Sequence, residues 1–372
     1  MAAEARERLR RWLVSGELPR PAGATDADEL ARAARDLGLA GCLDERLTAT
    51  PNAAWWPQAA RASLRDAHRA ALLHGTRLLS LALRVQHLLG AQGLRGLPLK
   101  GVALLAGGYV GPGERPMGDA DLLLLDAWDP AVRALTDAGF TRGEAADHAV
   151  GLHDPVTGEL LELHHSVTSC PGLFPLDRDR LWQRSHLTNS GLRVPAAEDL
   201  LVLGALHASF QHGLVLPLVH YLDFPALLAR SSFDASLALE IAGRAQATLA
   251  LRVALDAAAV VVGSTTPEAL RAQLPAAHPA LARWLAARLQ DPFSLLCPSS
   301  PALGRVRWEL ARGQRGALIR ATLAPPRPAG AAASLVQRGG IVGRAFGLAW
   351  RWGLNSARTW GAARVAEKGT RV

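Results

Sequence analysis

Two aspartates separated by one residue stand at the start of an apolar run, in the stretch RPMGDADLLL. The run predicts a buried strand, where a charge is costly unless something pairs with it. Residues i and i+2 of a strand share a face, so Asp119 and Asp121 aim both carboxylates at one place. Such oxygen ligands suit Mg²⁺ and can serve phosphoryl or nucleotidyl transfer. The alternative is an aspartate pair that caps a turn at a strand edge, because the tripeptide is common.

The residues around this pair predict an anion site. Lys100 and Gly101 end one predicted strand and open a helix, whose free N–H groups suit a phosphate. Gly101 also allows close backbone approach. Arg115 lies in a Gly/Pro loop four residues before Asp119, from which it can bind a phosphate bidentately. The alternatives are an ordinary surface lysine, a turn glycine and a solvated loop arginine.

A predicted hairpin downstream, which contains GELLELHHSV, carries a third acid. Strand parity places Glu162 and His164 on one face and His165 on the other. Glu162 is expected to join the aspartates, or else to be a plain polar-face residue. His164 is expected to orient Glu162 or to touch a phosphate, whereas His165 is expected to pack on the other side of the sheet.

Three polar residues in the following helices are expected to be structural. His207 and His212 lie five residues apart, so they should not stack as cleanly as an i, i+4 metal pair. Packing and a helix cap near Gly213 are the favoured roles. Asp223, in YLDFP, is expected at a helix end or in an interdomain contact.

The elements around these residues predict an α+β fold, with a small mixed sheet flanked by helices. Residues 1–93 are predicted as an N-terminal helical region and residues 94–190 as the α/β core. Residues 191–323 are predicted as a second helical domain, and residues 324–372 as a linker and a basic tail. The strand and helix order of the core does not form a long doubly wound run.

The ordered motifs resemble a known family. They are LPLKGVALL, RPMGDADLLL followed by AVRALTDAGF, LLELHHS, and VPAAEDLLVLGALHASFQHG with YLDFPALL, and they span roughly residues 61–265. Together they resemble the nucleotidyltransferase fold of the DNA polymerase β type. More closely, they resemble a poorly characterised bacterial nucleotidyltransferase family with a Lys-Gly signature. The Asp-x-Asp motif alone is weak, but the ordered set is specific.

The resemblance implies transfer of a nucleoside monophosphate from an NTP to an unidentified acceptor, a small molecule or a peptide. It implies Mg²⁺ or Mn²⁺ as cofactor, with Asp119 and Asp121 as the metal-binding pair. Glu162 matches the third acid, which often helps to activate the acceptor hydroxyl. Members of the family occur beside peptide natural-product genes, which links the chain to such biosynthesis by association without fixing a substrate.

One position departs from the pattern of the fold. Lys100-Gly101 stands where the fold usually places Gly-Ser, which holds the triphosphate, so Lys100 or Arg115 is expected to replace the missing serine contact. Two other functions stay open. One is a non-catalytic binding module of the same fold, for a peptide or a partner protein. The other, less favoured, is a glycosyltransferase with an Asp-x-Asp motif, since no long Rossmann-like half precedes the motif.

The positive charge of the chain is concentrated at one end. The net charge is +8, and residues 301–372 hold thirteen Arg or Lys against two acids. A nucleic-acid footprint over the whole protein is therefore not supported. Arg344, Arg351 and Arg358 are spaced by seven and predict a basic helical stripe. Binding of an anionic membrane surface, RNA or an acidic partner, or a partly disordered tail, are the open alternatives.

The cysteines and the N-terminus bear on the compartment. The three cysteines, Cys42, Cys170 and Cys297, lie far apart and form neither a disulfide framework nor a metal-binding spacing. The N-terminal stretch is too charged for a secretory signal, and no apolar run is long enough to span a membrane. A cytoplasmic protein is therefore expected, with peripheral membrane contact through the tail as an open alternative.

Overall fold

The structure is a computed structural model. It describes residues 2–50, 53–145, 148–214 and 216–276, with a few single positions between 279 and 318. The predicted basic tail and Cys297 lie outside the described residues.

The described chain alternates a helical start, a small sheet and a second helical region. The helices before the sheet are α1 (Ala2–Ser15), α2 (Ala24–Asp36), α3 (Ala40–Ala49) and α4 (Gln58–Ala91). The sheet region holds β1 (Gly96–Pro98), α5 (Lys100–Ala106), β2 (Ala120–Leu124), α6 (Trp128–Asp137), β3 (Thr141–Ala145), β4 (Ala149–His153) and β5 (Leu160–His164). After it come α7 (Arg178–Arg184), a short hairpin of β6 (His186–Leu187) and β7 (Arg193–Val194), α8 (Ala197–Leu206), α9 (Val219–Leu228), α10 (Ala235–Arg244), α11 (Thr248–Val262) and α12 (Glu268–Arg271). The predicted α+β fold is confirmed.

The five-stranded sheet is mixed, with the strand order β1-β2-β5-β4-β3. β2 and β5 run parallel, and the other neighbours run antiparallel. The register of the parallel pair sets Asp121 opposite Glu162 and Leu123 opposite His164. Because side chains alternate along a strand, these four residues stand on one face of the sheet.

The two faces of the sheet pack against different partners. On one face, Leu122 and Leu163 join a core that includes Leu81 of α4 and Leu135 of α6. On the other face, Leu123 clusters with Leu203 of α8. Parity places Asp121 and Glu162 on this second face, so the carboxylates look towards the second helical region.

The helices at the two ends of the described chain share one hydrophobic core. Leu9 of α1 and Leu43 of α3 belong to the same cluster as Leu206 of α8 and Leu251 of α11. This packing places the second helical region beside the carboxylate face of the sheet. The domain limits expected from the sequence stay a prediction. Among the described helices, none is long and apolar enough to cross a membrane.

Candidate active site

The pairing of β2 with β5 brings two of the predicted acids together. Asp121, Glu162 and His164 each offer one ligand-capable atom, and these atoms all lie within 4.8 Å of one another. Asp121 is buried, whereas the Glu162 side chain keeps 35% of its surface exposed. The cluster is therefore closed on the Asp121 side and open to a substrate on the Glu162 side.

Two basic side chains contact Asp121. Its Oδ1 accepts a hydrogen bond from Lys100 Nζ at 2.6 Å and one from His164 Nε2 at 2.8 Å. Burial alone would raise the pKa of Asp121, but Lys100 and His164 lower it far below its usual range. Burial alone would lower the pKa of His164, but its contacts with Asp121 and Glu162 raise it. Asp121 is therefore a buried carboxylate held ionised by its neighbours.

The backbone of Lys100 is strained at the first residue of α5. Its φ is +49°, in the left-handed region that a residue with a Cβ adopts at a cost of about 1–2 kcal/mol. Its side chain is partly buried against Asp121 rather than solvated. Burial would lower the pKa of Lys100, but Asp121 raises it, so the amine stays protonated. The alternative of an ordinary surface lysine does not apply.

Asp119 lies one residue before β2 and is only partly buried. Burial, and then the negative charge of Asp121, raise its pKa to about 6. Among the described residues no ion-pair partner is found for it. Asp119 therefore adds a third carboxylate near the cluster, one that no protein cation neutralises directly.

The carboxylates fit a divalent cation better than the histidine does. His164 Nδ1 is buried and has no hydrogen-bond partner in the described part of the chain. A histidine that binds a metal through one ring nitrogen normally donates the other N–H to a partner. Carboxylate oxygens, in contrast, are the ligands that Mg²⁺ prefers. The donor set that fits is thus Asp121 and Glu162 with Asp119 nearby, and Lys100 occupies Asp121 Oδ1 in this structure.

Arg115 does not lie in a solvated loop. Its exposed fraction is 6%, and its Nε and Nη2 donate to the two carboxylate oxygens of Asp223 at 2.7 and 2.9 Å. Nη2 also lies 3.1 Å from His220 Nδ1. A Cβ on Gly101 would collide with Arg115 Nη1, at 2.5 Å, and with Met117. The small size of Gly101 therefore makes room for this arginine. Asp223 of α9 contacts Arg115 in the loop before β2, which is the kind of contact between regions expected from the sequence.

The histidine pair after α8 meets edge-on, with an interplanar angle of 64°, which agrees with the expectation that a five-residue spacing prevents clean stacking. The ring centroids of His207 and His212 are 4.4 Å apart. A π-helical turn over His207–Gln211, with a hydrogen bond from His212 N to the carbonyl oxygen of His207, brings residues i and i+5 close enough for this edge-on contact. Such turns are frequent at functional sites, but they cannot be predicted from a simple hydrophobic period in the sequence.

His165 follows the prediction from strand parity. Its ring packs edge-on against Trp128 of α6, with the centroids 5.4 Å apart. It thus packs against a helix, while His164 faces the carboxylates. His148 stands beside His164, with ring centroids 5.3 Å apart, and burial followed by the charge of His164 lowers its pKa to about 4.

A cavity of about 50 Å³ adjoins the carboxylate cluster, between α5, the end of β5, α8 and α9. Its wall is mainly aliphatic, and its polar members include Lys100, His164, His207 and His220. Sequence reasoning missed His220. The sequence places His220 three residues before Asp223, on the same face of a helix. This spacing is common in helices, so it did not single out His220.

Comparison with protein families gives a match that covers more than half of the chain. A family model described as an uncharacterised nucleotidyltransferase matches residues 23–263. The matched region begins before α2 and ends after α11, so it contains the whole sheet and all of the candidate site. No curated protein and no solved structure matches the chain.

Proposed function

The chain belongs to the family of uncharacterised nucleotidyltransferases, and from this premise we propose that it transfers a nucleoside monophosphate from an NTP to an acceptor hydroxyl or phosphate. The observation that carries the proposal is the position of Asp121 opposite Glu162 on neighbouring parallel strands, on the face turned to a cavity. Family membership supports a transferase that uses an NTP. The metal, the residue roles and the acceptor are our proposals.

Asp119, Asp121 and Glu162 would hold Mg²⁺ or Mn²⁺, which when bound supplies positive charge to the α-phosphate and orients it for in-line attack. The acceptor oxygen forms a bond to the α-phosphorus, and the bond from that phosphorus to the α,β-bridging oxygen breaks. Pyrophosphate leaves with the bond electrons. The Glu162 side chain is more exposed than that of Asp121, so Glu162 takes the proton of an acceptor hydroxyl.

We assign a separate role to each basic side chain around the acids. Lys100 binds the triphosphate after leaving Asp121, and the N-terminus of α5 at Gly101 lies beside the phosphates. His164 holds Asp121 in place through its 2.8 Å contact and is the second candidate for a phosphate contact. For Arg115 the burial against Asp223 favours a positioning role over direct phosphate binding.

The test of this proposal is a transfer assay with each of the four α-³²P-labelled NTPs, Mg²⁺ or Mn²⁺, and an extract as the source of acceptor. Parent protein and the matched control Asp137→Asn, an exposed aspartate of α6, should release pyrophosphate and yield a labelled product. Asp121→Asn should yield neither. Glu162→Gln should keep metal binding but lose turnover. Metal-independent labelling, or labelling that survives in Asp121→Asn, would refute the proposal.

A non-catalytic binding module is the second candidate, and one observation favours it. Lys100 already supplies a cation at Asp121 Oδ1, as expected of a site that has no need of a metal. On this account no NTP is consumed by any variant in the assay, and Lys100 stays on Asp121 when Mn²⁺ is added.

The basic C-terminal stretch supports a proposed partner outside the site. Its thirteen Arg or Lys against two acids over residues 301–372 favour attraction to an anionic surface. We propose that residues 335–372 tether the protein to anionic lipid, with RNA as the alternative ligand. The cytoplasmic location and the link to natural-product biosynthesis stay predictions.

A further inference from the structure

The cavity beside the carboxylates has a mainly aliphatic wall that also includes a few polar side chains. Lys100 and His164, which both contact Asp121, lie in its wall. Leu203 and Leu227 represent the aliphatic part, supplied by α8 and α9. A molecule seated in this cavity would therefore lie beside the side chains that contact Asp121 and against aliphatic side chains of α8 and α9.

The size of the cavity selects among the molecules of the proposed reaction. Its volume is about 50 Å³. An apolar cavity that admits benzene measures roughly 150 Å³, so a nucleobase does not fit this one. A short aliphatic group fits both the volume and the wall.

Gly204 of α8 supports a cavity that is kept open. It lies inside the helix, and its φ is not in the left-handed region. Apart from its chain neighbours and the nearby backbone of its own helix, no atom lies within 4 Å of the position that a Cβ on Gly204 would occupy. Neither the backbone conformation nor the packing therefore requires glycine here. Alanine would favour the helix by about 1 kcal/mol. Because Gly204 lines the cavity, the absence of a side chain at this position leaves space within the cavity.

His220 provides a hydrogen-bond donor with a defined tautomer. Its Nδ1 lies 3.1 Å from Nη2 of Arg115. Arginine stays protonated in proteins, so Nδ1 accepts and the ring proton sits on Nε2. Burial, and then the charges of Arg115 and Lys100, lower the pKa of His220 to about 3, which keeps the ring neutral. Among the described residues Nε2 has no hydrogen-bond partner, so its N–H is free for a ligand.

From this geometry we infer that the cavity binds the acceptor, through a short aliphatic group of about three carbons, and that His220 Nε2–H donates to an oxygen of the acceptor. This inference rests on the proposed function. The reaction is unchanged: the acceptor oxygen bonds to the α-phosphorus as pyrophosphate leaves, and the hydroxyl proton passes to Glu162. Arg115 is a positioning residue, because it acts on the ligand only by fixing the tautomer of His220.

The test uses isobutanol, in which a methylene group joins an isopropyl group to a hydroxyl, and the full chain with ¹³C-labelled leucine and valine methyls. Isobutanol should shift the methyl signals of Leu203 and Leu227, and benzyl alcohol, which is too large, should not. Gly204→Leu should weaken isobutanol binding at least tenfold. The matched control is Gly243→Leu, a helical position in α10 that also has open space but does not line the cavity. It should bind isobutanol as the parent does.

The donor role has its own variants. His220→Gln retains an N–H donor and should bind isobutanol nearly as well as the parent. His220→Leu should weaken binding about fivefold, the effect of one ordinary hydrogen bond. In ¹⁵N spectra the parent should show His220 as the Nε2–H tautomer, and Arg115→Met should populate both tautomers, which a merely structural arginine would not change.

The inference and the proposed function fail in different ways. If isobutanol binds as described but no NTP is consumed with any acceptor, the cavity stands as an aliphatic site and the transferase proposal fails. If NTP is consumed but isobutanol leaves the methyls of Leu203 and Leu227 unshifted, or binds Gly204→Leu equally, the cavity inference is overturned. Formation of an isobutyl nucleotide ester that Gly204→Leu abolishes supports both.

Discussion

The guanidinium of Arg115 and the carboxylate of Asp223 form a bidentate ion pair although they lie 108 residues apart in sequence. Arg115 stands in the loop before β2, and Asp223 lies in α9. Their side chains are 6% and 17% exposed. The pair therefore fastens the strand that carries Asp121 to the helix that forms one wall of the cavity.

Breaking this ion pair should be costly for folding. Arg115→Met or Asp223→Leu alone leaves a buried charge without its partner, so each should lower the free energy of unfolding by about 3–5 kcal/mol. The double variant removes both charges and should recover most of that loss. Urea unfolding measures all three proteins. A single variant that loses less than about 1 kcal/mol would show that the pair is not buried as described.

Removing the lysine from Asp121 should strengthen metal binding. Lys100 Nζ and a divalent cation compete for the same carboxylate oxygen, so Lys100→Met should bind Mn²⁺ more tightly, on the order of tenfold, or about 1.4 kcal/mol. Mn²⁺ titration followed by electron paramagnetic resonance gives the affinities. The same variant should bind NTP more weakly, by roughly 1–3 kcal/mol, because it lacks the phosphate contact. Unchanged or weaker Mn²⁺ binding would rule out the competition.

The stability of the protein should depend on pH through His68. Its Nδ1 lies 2.9 Å from Asp44 Oδ2 and its Nε2 lies 3.0 Å from the carbonyl oxygen of Pro112, so only the doubly protonated ring satisfies both. Burial would lower the pKa of His68, but these hydrogen bonds raise it.

Because the folded-state pKa is raised, this stabilisation is fully present below the unfolded pKa of about 6.5 and is lost as pH rises through the folded value. The gap in urea midpoint between the parent and His68→Gln should therefore be larger at pH 5.5 than at pH 9. A gap that does not change with pH, or that widens as pH rises, contradicts the charged contact with Asp44.

Deleting the basic end should separate tethering from the site. A chain ending at residue 334 should keep Mn²⁺ binding and lose association with vesicles that contain phosphatidylserine. Association of the full chain should weaken with salt, since charge attraction is screened over about 10 Å at 0.1 M. Vesicles without anionic lipid are the control. If an RNA homopolymer binds the full chain and the vesicles do not, the lipid proposal fails and RNA takes its place.

Much of the fold and part of the site could be predicted from local sequence. Strand parity alone placed Glu162 and His164 on one face and His165 on the other, and the structure has these faces. The α+β class followed from the alternation of helical and strand periods. These features are local, since each depends on the two-residue or 3.6-residue repeat of a single element.

The remaining features depend on contacts that local periods do not encode. The parallel pairing that sets Asp121 opposite Glu162 joins β2 to a strand about 40 residues later, after two other strands. The Gly/Pro loop around Arg115 predicted a phosphate-binding arginine or, as the alternative, a solvated charge, and its burial is explained by its distant partner Asp223. The edge-on contact of His207 with His212 depends on a π-helical turn, which has no distinct sequence period.

The most direct test of the account is the position of Mn²⁺ in crystals grown with a non-hydrolysable α,β-methylene NTP, located by anomalous scattering. The account predicts an anomalous peak bound by Asp121 and Glu162 and close to Asp119, with Lys100 Nζ moved from Asp121 to a phosphate oxygen. A map with no peak at these carboxylates, in which Lys100 still donates to Asp121 while the nucleotide lies elsewhere, would contradict a metal-dependent transfer site.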